Sequence, residues 1–168
     1  DPGLPYRRTD GTSPRELQRH SLIASGILTE IERLNPKGPV LEVGAASFQT
    51  ALSLARALPE WDISAMEPSP ERIPNTNDIR IFLTSLDEAS FDRPFGLIYA
   101  NHVLEHVPHP NGFLKKLAGI LAPDGIVLLS CPDALIPSHE LLFSDHLYHF
   151  TPAAIAAVAE GTGIWLQE

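Results

Sequence analysis

The sequence predicts an α/β fold, a doubly wound, mostly parallel sheet with helices on both faces, and three observations predict it. Short, nearly continuous apolar runs recur along the chain, as at Val40-Leu41-Glu42-Val43 and over residues 95–100 and 126–130, the pattern of strands buried on both faces. Amphipathic stretches of helical period lie between them. Turn residues punctuate the chain at regular intervals, so strands and helices alternate and the strands connect by crossovers.

Ser13 at a cap, Pro14 in the first turn and Glu16 three residues after the cap mark a helix start. Leu17, Ile23, Ile27, Leu28, Ile31 and Leu34 approximate a 3.6-residue stripe behind it, ended by Asn35-Pro36-Lys37-Gly38. Residues 39–43 read as the first strand, 44–48 as a loop, and 49–58 as a helix stopped by Pro59. A second strand over 61–66, an irregular connection over 68–77, a third strand over 79–83 and a fourth over 95–100 follow. A helical turn spans 103–107 and a helix 111–121. Ala122-Pro123-Asp124-Gly125 is a turn into a fifth strand over 126–130. Residues 131–150 form a long loop carrying His139, His146 and His149. Thr151-Pro152 starts a last helix through Glu160, and residues 163–167 begin a sixth strand, after which the sheet is expected to be truncated. The chain thus divides into an amino-terminal segment and helix, residues 1–38, and one α/β domain, residues 39–168, incomplete at its carboxyl end.

At 168 residues there is room for one domain core and not two. Hydrophobic residues at 43% and charged residues at 20% exclude a disordered chain. No apolar run approaches the roughly 20 residues that span a membrane, and residues 1–11 lack a signal-peptide pattern. Cys131 is the single cysteine, so no internal disulfide forms and a cytoplasmic setting is expected. The net charge of -9 repels phosphate backbones. Only Arg7-Arg8 and Lys115-Lys116 cluster positive charge, and nucleic acid is not an expected partner. The start at Asp1 and the abrupt end at Glu168 read as a fragment or a trimmed chain.

Open parallel sheets bind ligands at the carboxyl ends of their strands, where strand order reverses. After the first strand, Gly44 allows a tight turn and close approach of a ligand to main-chain amides; a plain turn glycine is the blander reading. After the second strand, Glu67 is suited to accept both hydroxyls of a ribose, at an offset of about 20 residues from the first loop. A solvated loop glutamate is its ordinary alternative.

From Pro39 onward the chain resembles the class I S-adenosylmethionine-dependent methyltransferases. Val40-Leu41-Glu42-Val43-Gly44 is similar to their first motif, and Met66-Glu67-Pro68-Ser69-Pro70 to their ribose-binding strand end. The string from Phe95 through Asn101-His102-Val103-Leu104-Glu105-His106-Val107 resembles their fourth strand and following turn, and Leu121-Ala122-Pro123-Asp124-Gly125-Ile126 their turn into strand five. The resemblance implies a Rossmann-like methyltransferase domain over 39–168 with S-adenosylmethionine as cofactor. It implies cofactor contacts from Glu42, Gly44, Ala46, Glu67, Pro68, Ser85, Leu86 and Asn101. The methionine end would lie at Gly44, the ribose on Glu67 and the adenine after Leu83. Two positions depart from the family pattern. Ala46 and Phe48 stand where glycines are usual, and a phenyl ring there narrows the pocket unless the loop takes another path. Ser85 stands near a usual acidic residue, with Asp87 close by in sequence.

Phe143-Ser144-Asp145-His146-Leu147-Tyr148-His149-Phe150-Thr151-Pro152 is similar to the stretch after strand five in methyltransferases of sugar and polysaccharide pathways. The resemblance implies His146 as the base, oriented by Asp145, acting on a small polar, sugar-linked acceptor. A histidine that only holds the loop against the sheet is the alternative. His102, directly after strand four, is a second candidate for catalysis.

No metal ligand set is expected. The string His102-Val103-Leu104-Glu105-His106 fits H-x-x-E-H of zinc hydrolases, but Pro108 and Pro110 cut short the helix that chemistry needs. A nicotinamide dehydrogenase would carry glycines at 46 and 48, and a degenerate scaffold domain without catalysis is the non-enzymatic alternative. The expected partner is a small-molecule acceptor, with no membrane, and a homo-oligomer is left open.

Overall fold

The helix start at Ser13 is a complete capping box: the Ser13 hydroxyl accepts the Glu16 N–H at 3.2 Å, and the Glu16 carboxylate accepts the Ser13 N–H at 2.8 Å. In the computed structural model, which describes residues 13–70 and 73–166, it opens α1 (Pro14–Leu34). Asn35, left-handed at φ 48°, closes that helix by donating its N–H to Ile31.

Among the described residues five strands follow: β1 (Val40–Val43), β2 (Ile63–Met66), β3 (Arg80–Phe82), β4 (Phe95–Asn101) and β5 (Leu121–Ser130). Every pairing is parallel, in the order β3-β2-β1-β4-β5. The chain builds outward from β1 to β3, then returns to place β4 on the other side of β1. Strand order therefore reverses between β1 and β4, and the carboxyl ends of these two strands frame the ligand crevice of such sheets.

Alternation along the strands builds a core on each face of the sheet. Val40, Ile63, Ala65, Leu97 and Tyr99 pack with Ala24, Ile27 and Ile31 of α1 and with α2 (Gln49–Ala57). Leu41, Val43, Met66, Ile98 and Ala100 pack with Leu114 and Leu117 of α3 (Pro110–Ile120) and Ala159 of α4 (Pro152–Ala159). The Thr151 hydroxyl accepts the Ala154 N–H at 3.2 Å and caps α4 as its sequence indicates. No helix of the described residues is long and apolar enough to cross a membrane.

Two expectations are corrected. The turn at Ala122-Pro123-Asp124-Gly125 is a bulge inside β5, because Leu121 already pairs with Phe95 before the ladder resumes at Leu97 and Ile126. Asp124 takes φ 60° to accommodate it. The sixth strand does not form among the described residues. Gly161 and Gly163, at φ 66° and 88°, turn the chain after α4, and residues 164–166 pair with no strand, so β5 stays at the edge. Arg7-Arg8 and Gln167 lie outside the described residues.

Candidate active site at the strand reversal

The loop after β1 is shaped by close approach. Gly44 has φ 75°, and a Cβ there would collide with the Val103 side chain beyond β4. The Gly44 and Ala45 amides both donate to the Met66 carbonyl, at 2.9 and 3.0 Å. The Ala46 N–H donates to Glu67 Oε2 at 3.0 Å, and the Ser69 N–H to Glu67 Oε1 at 3.0 Å. The two loops singled out by the sequence are thus joined directly. A carboxylate offers about four acceptor positions; two meet amides here and the rest remain for a ligand.

Phe48 takes the other path that its position required. At φ 62° its side chain turns into the core beneath α1 and α2, where it is wholly buried. An apolar residue cannot cap a helix, and α2 takes its acceptor from β1 instead: Glu42 Oε2 accepts the Ala51 N–H at 3.1 Å. Burial pushes the Glu42 carboxyl up to about 8, against the Tyr99 hydroxyl and the Ala51 amide, which favour the anion. Tyr99 is its direct neighbour on β4, although the hydroxyl forms no aligned hydrogen bond. Glu42 is therefore a buried cap at the base of the loop, 5% exposed.

His20 escaped the sequence reading. Its Nδ1 lies 2.9 Å from the Thr50 hydroxyl and its Nε2 3.3 Å from that of Ser47, so α1 holds the loop and the first turn of α2 together. The available signal was its place at helical spacing before the buried Ala24, Ile27 and Ile31, a polar residue on the inward stripe.

The remaining expected contacts are more dispersed. Pro68 is exposed beside Glu67, and Asn101 ends β4 paired with Ser130. The Ser85 hydroxyl donates to Glu88 at 2.9 Å, Asp87 pairs with Lys116, and Leu86 packs toward the α3 face. Among the described residues, no hydrogen bond joins Ser85 or Leu86 to the Gly44 loop.

Beyond β4 the histidines gather. His102 adopts φ 54°, donates its N–H to Ser130 at 2.8 Å, and brings Nδ1 to 3.2 Å from Glu105 Oε1. Glu105 lies in a short 3-10 turn (Leu104–His106), buried to 1% exposure, and neither carboxylate oxygen makes an aligned hydrogen bond. Burial raises its pKa, but His102, its own amide and the charge of His106 outweigh that and leave it lowered. Burial first, then the charges of Glu105 and Asp133, push the Cys131 thiol up to about 11, so it is no nucleophile at neutral pH.

The loop after β5 is fastened over this turn. The Glu105 carbonyl accepts the Leu147 and Tyr148 amides at 2.8 and 3.3 Å, and the Tyr148 hydroxyl donates to the Pro108 carbonyl at 2.9 Å. His146 is thereby placed edge-on to His106 with ring centroids 4.8 Å apart, its Nδ1 buried without a partner. Asp145, expected beside His146, meets His106 instead: its carbonyl lies 2.9 Å from His106 Nδ1 and its carboxylate 3.8 Å. A zinc-hydrolase helix is not built. The turn holds three residues, His102 lies before it, and the two histidines do not share a helical face.

A family model described as a methyltransferase domain matches residues 15–166. Among curated proteins, a trans-aconitate 2-methyltransferase of Methylobacterium radiotolerans is 28% identical over 107 residues, 61% of this chain and 41% of that protein. Methyltransferase str2 of Strobilurus tenacellus is 31% identical over 111 residues, 61% of this chain and 38% of that protein. The chain spans about two fifths of the length of these relatives. Among solved structures, the plantazolicin methyltransferase BpumL, in complex with a monoazolic desmethylPZN analog and SAH, aligns with TM-score 0.62 at 17% identity, covering 86% of this chain and 61% of that one. The glycopeptide N-methyltransferase MtfA aligns with TM-score 0.54 at 18% identity, covering 65% and 47%. At these identities the structural likeness concerns the fold.

Proposed function

Because this chain belongs to the methyltransferase-domain family, we propose that it transfers a methyl group from S-adenosylmethionine to a small polar, sugar-linked acceptor. One observation carries the reading: the Glu67 carboxylate at the end of β2 is locked onto the Ala46 amide of the Gly44 loop at 3.0 Å. This pairs a ribose acceptor with the amides of a glycine turn at the strand reversal, where the fold binds nucleosides. The cradle fits the cofactor, since Gly44 turns the chain at φ 75° tightly against Val103 and Phe48 keeps its ring in the core.

In this reading the backbone at Gly44 and Ala46 borders the methionine end of the cofactor, and Glu67 accepts from its ribose at the positions that the Ala46 and Ser69 amides leave open. Pro68, Ser85, Leu86 and Asn101 border the nucleoside, and Glu42 acts beneath them by fixing α2. When bound, S-adenosylmethionine supplies a methyl group already activated on a sulfonium, so the protein mainly aligns the acceptor and takes its proton. His146 accepts that proton, with His102 as the second candidate; Asp145 acts through His106. An imidazole suits the task near neutral pH. The small acceptor follows from the likeness to relatives such as the trans-aconitate enzyme, and the sugar link from the 143–152 stretch. The scaffold alternative loses Phe48 as an obstruction.

Calorimetry with S-adenosylhomocysteine, with NAD as the control, tests the cofactor. Binding of the former alone is expected. Binding of NAD alone, or of neither at millimolar ligand, would overturn the reading.

A further inference from the structure

We propose that Glu105, His106 and His146 bind a divalent transition-metal cation that receives an oxygen of the acceptor. One ligand atom from each residue lies within 4.8 Å of the other two. Donors around one tetrahedral ion at 2.0–2.2 Å sit about 3.3–3.6 Å apart, so side-chain rotations that close the set by up to about 1.5 Å complete it.

Two independent features point to a ligand there. Glu105 is 1% exposed; its Oε1 faces His102 Nδ1 at 3.2 Å without an aligned hydrogen bond, and its Oε2 has no hydrogen-bond partner. Buried carboxylates in that condition are costly unless they are paired or coordinate a metal. His146 presents a second buried atom without a partner, Nδ1. His106 is also prepared as a ligand: with Nδ1–H donating to the Asp145 carbonyl at 2.9 Å, its Nε2 is left with a free lone pair. Metal-bound histidines characteristically donate their other ring N–H in this way.

Two imidazoles and one carboxylate favour Zn2+, Co2+ or similar ions over Mg2+ and Ca2+, which prefer all-oxygen shells. Three protein ligands leave at least one position open for the acceptor. A hydroxyl bound there would have its pKa lowered by the ion and would release its proton to solvent more readily. His146 is then a ligand rather than a free base. The acceptor role rests on the methyl-transfer reading; the cation site does not.

The test is Co2+ titration of chelator-treated protein without S-adenosylmethionine, followed by visible absorption and calorimetry. The expected result is one Co2+ per chain with d–d bands, displaced by Zn2+. His146→Ala, in a surface loop, should abolish the bands while leaving the far-UV circular dichroism unchanged, and Glu105→Gln should weaken binding at least tenfold. Absence of saturable binding at about 1 mM, near the weak end of useful affinity, or unchanged bands in His146→Ala, would overturn the site. Such failure would leave His146 as a free base and the methyl-transfer reading standing. Conversely, loss of S-adenosylhomocysteine binding with intact Co2+ bands would remove that reading and keep the cation.

Discussion

Glu42 and Ala51 are joined inside the core: the strand's carboxyl accepts the helix's third amide at 3.1 Å. This bond gives α2 the cap that Phe48 cannot provide, and it ties the floor of the Gly44 loop to β1. The arrangement commits a titratable group to a site with almost no water.

The consequence is a pH-dependent stability with a defined sign. The folded Glu42 carboxyl titrates at about 8 against an ordinary value of 4.5, so between these limits the native state keeps a proton that the unfolded chain releases. Its contribution is complete below 4.5 and is lost as pH rises through 8. The full difference is at most about 5 kcal/mol at 1.36 kcal/mol per unit. Glu42→Gln, neutral at every pH, should flatten the decline in urea-derived stability between about pH 5 and 9. Parallel profiles for the two proteins would contradict this account.

Gly44→Ala should impair the loop in two separable ways. Left-handed backbone costs alanine about 1–2 kcal/mol, and the new methyl meets Val103. The double variant with Val103→Ala removes the collision and keeps the backbone term. A double-mutant cycle should therefore give a favourable coupling energy above about 0.5 kcal/mol. Additive effects would mean that Val103 yields freely.

Glu67→Ala removes the acceptor for both the Ala46 and Ser69 amides as well as the proposed ribose contact. Charge-assisted hydrogen bonds contribute about 1.5–3 kcal/mol, so affinity for S-adenosylhomocysteine should fall about tenfold to a hundredfold. Calorimetry reads this directly, and undiminished affinity would move the nucleoside away from Glu67.

The order of elements was legible because local chemistry agrees with the fold: Ser13 and Glu16 cap, Asn35 stops, and strand residues alternate between two cores. The strand-end positions of Gly44 and Glu67 were legible for the same reason, since the sequence marks the ends of β1 and β2. What was hidden depends on contacts distant in sequence. Nothing local indicates that Asp145 meets His106, 39 positions away, rather than its neighbour. Phe48 read as an obstruction because a sequence does not display which way a left-handed residue turns its ring. The Ala122–Gly125 signal marks a genuine kink, with Asp124 at φ 60°, but the parallel ladder on both sides of it makes it a bulge.

His20 provides the opposite pH response to Glu42, and the pair can be separated. Burial first, then the charge of Arg19, lower its pKa below 6.5 against the pull of Glu16. The unfolded chain therefore binds the proton more readily, and stability from His20 is present above about 6.5 and lost as pH falls through the lowered value. His20→Ala should remove that acid loss and forfeit two partly buried hydrogen bonds, at about 0.5–1.5 kcal/mol each. Because those bonds hold Ser47 and Thr50, the variant should also weaken S-adenosylhomocysteine binding. His20→Asn restores one bond without the titration, so it should recover part of the affinity while keeping the flat acid profile. Equal binding by all three proteins would mean that α1 does not brace the loop.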